Sequence, residues 1–291
     1  MLFSANTYNT LRKLGDREGV RAMLDAGFPA LDMSFFAGSW LFTHEGNKLA
    51  LAKELRAIAD GSGAVFNQAH APFGRTEVFY EKFLPVFPEM FECCAILGVK
   101  NIVVHPLHDL PYYGNEEALF DMNMEFYSSL KHFAEDSGVR IALENMWQYH
   151  PKKRQVVDSV GSDPHELCRY YDTLNDPKHF TVCLDLGHVA LCDREPEDAI
   201  LTVGHDRLGA LHVHDVDYVS DLHTVPFGSK MNWDNICRSL AQIDYKGDLT
   251  LEADNFFKDV DNEFYPTVLK FMADVARHLT KKIEGYKQAS I

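Results

Sequence analysis

The 291-residue sequence contains no apolar run approaching the roughly 18 residues that a membrane-spanning helix needs. Its opening stretch, MLFSANTYNT, lacks a basic segment followed by a long apolar one, so no secretory leader is expected and a cytoplasmic protein is. Positive charge is scarce, with 28 Lys and Arg against 43 Asp and Glu, a net charge of −15. A protein that lives on phosphodiester contacts needs a basic face, so no nucleic-acid partner is expected. The same balance disfavours adsorption to anionic membranes. Cysteine is sparse: Cys93, Cys94, Cys168, Cys183, Cys192 and Cys237 form no C-x-x-C pair. That excludes a zinc knuckle and argues against a disulfide framework, so they read as buried thiols. No low-complexity segment, internal repeat or Pro/Gly/Ser linker divides the chain, and residues 1–291 are expected to form a single domain.

What is present is an alternation. Hydrophobic residues make up 46% of the chain, ample for a large core. Short β-branched runs predict strands over Leu2–Asn6, Ala30–Ser34, Ala64–Ala69, Asn101–His105, Arg140–Glu144, Phe180–Asp185, Leu208–His214 and Leu249–Glu252. Amphipathic stretches between them predict helices over Glu18–Ala26, Gly46–Ala59, Glu81–Leu97, Glu116–Asp136, Ser162–Leu174, Glu197–Val203, Trp233–Gln242 and Pro266–Leu279. Gly27, Gly98, Gly138 and Gly247 each fall between a helix and the next strand, where a left-handed C-terminal cap is expected. Eight strand–helix units suit a single α/β barrel, a (β/α)₈ TIM barrel; a doubly wound open sheet shares the same periodicity. The longest loops, Met146–Gly161 and Asp215–Asn232, follow strands and so belong to the catalytic face of a barrel.

Polar residues gather at the strand ends: His70 in HAPF, His105 in VVHP, Glu144 in ALEN, Asp185 and His188 in LDLGH, His212 and His214 in HVHD, Asp221 and His223 in DLH, and Glu252 in LTLE. An ionised carboxylate at the end of an apolar strand is costly to bury unless it is paired or bound to a cation. Glu144, Asp185 and Glu252 around one mouth would repel one another unless a divalent cation or bound protons intervened. Taken singly, each has a plainer reading: a strand-end histidine is usually a hydrogen-bonded core residue, and Asp185 could cap the helix that follows it. Of the two histidines in HVHD, His212 is expected to face inward and His214 toward the helices. His44, His108, His132, His150, His165, His179, His205 and His278 lack this context and read as surface or packing. Tyr8, Phe35, Phe36, Trp40, Phe73, Trp147 and Phe256 follow predicted strands and either wall a pocket at that mouth, with Trp147 foremost, or pack the barrel rim.

These motifs, in this order from His70 to Glu252, resemble the xylose isomerase-like TIM-barrel superfamily, which includes sugar isomerases and epimerases and the endonuclease IV type of abasic-site nuclease. The resemblance implies one divalent ion (Mn, Mg or Co, with Zn as a further choice) held by Glu144, Asp185, His212 and Glu252. It implies Glu144 and Glu252 as the acid/base pair that moves a proton beside a carbohydrate carbonyl through a cis-enediolate. It also implies His188 on the substrate's oxygens, with His70, His105, Trp147 and Lys230 as further substrate contacts. The nuclease branch implies additional ligation by His70, His105, His188, Asp221 and His223 around several zinc ions. The segment from His223 to Lys230 departs from the family's P-G-x-G loop at Phe227 and Lys230, and Lys230 would meet a substrate phosphate or simply solvent. The expected function is a metal-dependent sugar or sugar-phosphate isomerase or epimerase. The alternatives are a zinc-dependent phosphodiester hydrolase and a non-catalytic sugar-binding barrel. A homo-oligomer is left open.

Overall fold

The computed structural model describes residues 1–289. Eight parallel strands form the wall: β1 (Phe3–Ala5), β2 (Ala30–Ser34), β3 (Val65–His70), β4 (Asn101–Val104), β5 (Arg140–Glu144), β6 (Phe180–Asp185), β7 (Leu208–His212) and β8 (Leu249–Leu251). Six of them pair in the order β2-β3-β4-β5-β6-β7, and β1 pairs with β8. Two single bridges join these sheets into a ring, Asn6 to Asp32 and Val213 to Leu251. The strands read as near-continuous apolar runs because both faces are covered; every residue of β6 is buried.

Around the wall run α1 (Asp16–Asp25), α2 (Lys48–Gly61), α3 (Phe87–Leu97), α4 (Glu116–Ser137), α5 (Pro164–Leu174), α6 (Pro196–Arg207), α7 (Trp233–Gln242) and α8 (Tyr265–Ala289). Among the described residues no helix is long and apolar enough to cross a membrane. All six cysteines are buried and unbonded, as expected.

The predicted helix over Glu81–Leu97 is interrupted. Pro85 and Pro88 lack amide hydrogens, and a π turn (Phe79–Phe83) and a 3₁₀ turn (Leu84–Val86) precede α3. Short helices at Tyr8–Leu14, Trp40–Thr43 and Leu186–Leu191 were not expected, nor was the antiparallel hairpin of Trp147–Tyr149 with Val156–Asp158. Gly27, Gly98 and Gly138 do adopt positive φ, but Gly247 does not. Asp244 takes the left-handed position after α7 at φ 50°. Gly247 is instead needed for space, since a Cβ there would lie 2.2 Å from the Tyr245 hydroxyl.

Candidate metal centre and substrate cavity

Strand ends carry the site because a strand's last inward residue is the first that can reach the mouth of the ring. Glu144 ends β5, Asp185 ends β6, His212 ends β7, and Glu252 follows β8 directly. One ligand-type atom from each lies within 4.8 Å of the other three, and all four residues are buried. His212 Nδ1 is 2.8 Å from Glu144 Oε1, 3.3 Å from Glu252 Oε2 and 3.8 Å from Asp185 Oδ2. Three carboxylates and one imidazole nitrogen, dry and converging, are the hard donor set that a divalent cation takes. The neighbouring groups hold them in place. Asn6 donates to Glu252 Oε1 at 3.3 Å. Asn145 clamps Asp185, donating to its carbonyl at 3.0 Å and accepting from its amide at 2.8 Å.

The charges are self-consistent. Burial alone would raise the Glu144 carboxyl, but His212 and His105 beside it hold it well below its ordinary range. Burial opposes charge on His212, yet Cys183, Glu252 and Glu144 raise it well above the usual histidine value. His212 Nδ1 thus stands between the two glutamates, within reach of an oxygen of each.

The other expected residues assemble around this core. His105 Nε2 lies 3.0 Å from Glu144 Oε2, and His70 Nε2 lies 3.5 Å from the same oxygen. His70, His188 and His223 each donate Nδ1–H to a backbone carbonyl, those of Ala71 (2.7 Å), Asn145 (2.8 Å) and Glu252 (2.8 Å). A histidine anchored in that way keeps its Nε2 lone pair for a ligand or a substrate hydroxyl. His188, His214, Asp221 and His223 form a second convergent group, with ligand atoms within 4.8 Å of one another.

Three expectations change. His214 does not face the helices: residues two apart on an extended chain share a face, the pairing runs on through Val213 to Leu251, and His214 Nε2 meets Asp185 Oδ1 at 3.0 Å while its ring stacks on His223 at 4.0 Å. Lys230 does not line the cavity; it is exposed, with Nζ 3.5 Å from the Asp217 carbonyl. His108, read as packing, does line the cavity, and burial pushes it down to about 4, helped by repulsion from His105. The spacing of His105 and His108 in VVHPLHD carried that signal. Asp32 was also missed. Its neighbour Met33 turns outward to accept from Trp40 Nε1, so Asp32 points into the ring, with neither carboxylate oxygen hydrogen-bonded. Burial raises it to about 6.

Above the metal-type residues opens a cavity of about 820 Å³. Glu144 and Glu252 reach its surface, whereas Asp185 and His212 lie beneath and do not. Tyr8, Phe36 and Phe73 form one wall, with successive ring centroids 5.1 Å apart. Trp147 and Tyr149, on the hairpin, form the other at 4.8 Å. Phe35 and Trp40 are core instead, packed on each other at 5.5 Å, and Phe256 pairs with Phe271 away from the cavity.

Protein y4fM of Sinorhizobium fredii, itself uncharacterized, is 27% identical over 165 residues, which is 55% of this chain and 49% of y4fM. The chain thus spans about half the length of that relative. The crystal structure of a D-tagatose 3-epimerase-like protein superposes with a TM-score of 0.76 at 18% identity, covering 100% of both chains. The IolI protein, whose structure holds a zinc atom, superposes at 0.68 and 17% identity, covering 98% of this chain and 99% of its own. At these identities the structures establish a shared fold. Residues 20–274 match the model of the xylose isomerase-like TIM barrel, and the chain belongs to that family.

Proposed function

We propose that this chain, acting as one domain, is a divalent-metal-dependent isomerase or epimerase of a ketose or a closely related sugar. The observation that carries this reading is the layering of the site: only the two glutamates reach the cavity, from β5 and from the end of β8, above Asp185 and His212. Glu144, Asp185, His212 and Glu252 would hold the ion, which supplies polarisation of a carbonyl and its adjacent hydroxyl. Each glutamate has one oxygen near His212 and the other turned elsewhere. Glu144 Oε2 faces His105, and Glu252 Oε1 receives Asn6. The outer oxygen of one glutamate takes the proton beside the substrate carbonyl, and that of the other returns one. Return to the same carbon from the opposite face gives an epimer; return to the former carbonyl carbon gives an isomer. His70, His105 and His188 orient substrate oxygens through their Nε2 atoms, and the Trp147 face covers an apolar side of the sugar. The sugar epimerase-like protein and the zinc-bearing IolI protein of the same fold support the substrate class and the presence of a metal.

The test is exchange of substrate C–H hydrogen with deuterium from solvent, across a panel of ketoses. Glu144→Gln and Glu252→Gln, each checked for metal content, should lower exchange by at least about a hundredfold. Full exchange in both variants would sink the two-carboxylate mechanism.

A second reading, zinc-dependent phosphodiester hydrolysis, is favoured by one observation, the additional ligand-type group of His188, His214, Asp221 and His223. Elemental analysis of protein purified without chelator separates the two. About one ion per chain supports the sugar enzyme, and about three zinc ions per chain would make cleavage at abasic DNA sites the activity to assay.

A further inference from the structure

In a chain of net charge −15, cations that converge without carboxylates call for a reason. On the rim between β8 and β1 lies a pocket of about 180 Å³ lined, among the described residues, by Asn9, Arg12, Lys13, Lys258 and Tyr265, none of them acidic. Asn9 and Lys258 also line the large cavity, so the two spaces adjoin. The cations are held by neutral groups. Arg12 Nη1 donates to the Tyr8 hydroxyl at 3.3 Å, and its guanidinium lies 5.2 Å from the Tyr8 ring. Lys13 Nζ lies 5.3 Å from the ring of Tyr265, which is buried and joined to Thr10 through its hydroxyl at 2.9 Å. Lys258 Nζ donates to Asn255 at 3.3 Å. Among the described residues none of the three cations forms an ion pair.

Arg12 and Lys13 close the short helix Tyr8–Leu14, where basic residues favourably meet the helix C-terminus. That accounts for two of them. It does not account for Lys258, which arrives from the other end of the chain and completes the ring of donors.

We propose that this pocket is an oxyanion subsite, and that the substrate of the neighbouring centre is a sugar carrying a phosphate monoester rather than a free ketose. The reaction named here rests on the function proposed above; the subsite itself does not. An arginine and two lysines supply charged donors to several oxygens of one group, and a dianionic phosphate answers three cations better than a single carboxylate does. The pocket is large enough for such a group, and the neighbouring cavity of about 820 Å³ is the one that Glu144 and Glu252 reach. The sugar would therefore lie in the larger cavity, with its charged end under Asn9 and Lys258.

Two readouts test this independently. First, inorganic sulfate, which keeps divalent cations in solution, is titrated into the metal-loaded protein by calorimetry at low ionic strength. Saturable binding should weaken about tenfold in Lys13→Gln and in Lys258→Gln and remain unchanged in Lys230→Gln. Absence of binding up to about 10 mM sulfate, or equal binding in all variants, would overturn the subsite. Second, solvent deuterium exchange is compared between a free ketohexose and its terminal phosphate monoester. The phosphate should show the lower KM, and Lys258→Gln should raise that KM about tenfold while leaving the free sugar's KM within about twofold. A free sugar or a uronate preferred over the phosphate, with KM unmoved by the substitution, overturns the phosphate and leaves the metal-centre reading standing. Sulfate bound as expected with no exchange on any sugar overturns the metal-centre reading instead, and leaves the subsite standing.

Discussion

A single carboxyl group, Asp32, shows how local environment changes chemistry. It is fully enclosed, accepts no hydrogen bond, and is raised from 3.8 to about 6, chiefly by burial. The folded state therefore holds a proton more tightly than the unfolded chain does. The stability this group contributes is fully present below about pH 4 and is lost as pH rises through about 6. Asp32→Asn keeps the shape and removes the charge. In metal-free protein it should raise the urea midpoint at pH 8 by an amount worth about 2–3 kcal/mol, with the gap closing toward pH 4. Equal midpoints at both pH values would show that the group is solvated. Nothing in the sequence flagged this residue: ALDMS reads as an ordinary buried strand, and only the outward turn of Met33 fixes which way Asp32 points. His108 differs: VVHPLHD sets it three residues after His105, but its place on the cavity depends on a loop path that periodicity does not describe.

At the scale of elements, the handover from β6 to the helix Leu186–Leu191 concentrates several roles in a few atoms. Asp185 Oδ1 accepts the His188 amide at 2.7 Å as an N-terminal cap, and the same carboxylate meets His214. The cap was legible in LDLGH; the helix was not, because LGHVAL, apolar but for His188, looks like a continuing strand. The contact with His214 depends on Gly187, where an added Cβ would come within 2.1 Å of the imidazole. Gly187→Ala should therefore displace His214, cost about 1–3 kcal/mol of stability by overpacking, and shift the His214 ring resonances. A variant with wild-type stability and unshifted resonances would contradict that contact. The strands were read within a residue or two because buried parallel strands are continuous apolar runs, whereas the Trp147–Tyr149 hairpin was lost inside a long polar loop. The metal-type residues were legible for a related reason: charged groups at the ends of apolar strands have few uses, and six of the seven motifs fall at six strand ends, with DLH in the loop after β7.

At the scale of the whole molecule, the ring is two sheets joined at two narrow seams. Glu144, Asp185 and His212 stand on the six-stranded sheet, and Glu252 stands on the β1/β8 pair. A cation bound by all four would span one seam. Removing the metal should lower Tm, since a ligand specific to the native state stabilises it by mass action. Hydrogen exchange should then quicken more in β1 and β8 than in β4 and β5; uniform quickening would disconnect the metal from the seam. Apparent metal affinity should also fall as pH is lowered, because the raised His212 must lose its proton to act as a ligand.

The seams have a consequence for how such a barrel changes over generations. The β1/β8 pair brings together the first and last strands of the chain, and it carries Glu252 while its loops carry Arg12, Lys13 and Lys258. The six-stranded sheet carries the other three metal-type residues. If Arg12, Lys13 and Lys258 grip one end of the substrate as proposed, substitutions among them can re-aim that end while Glu144, Asp185 and His212 stay in register.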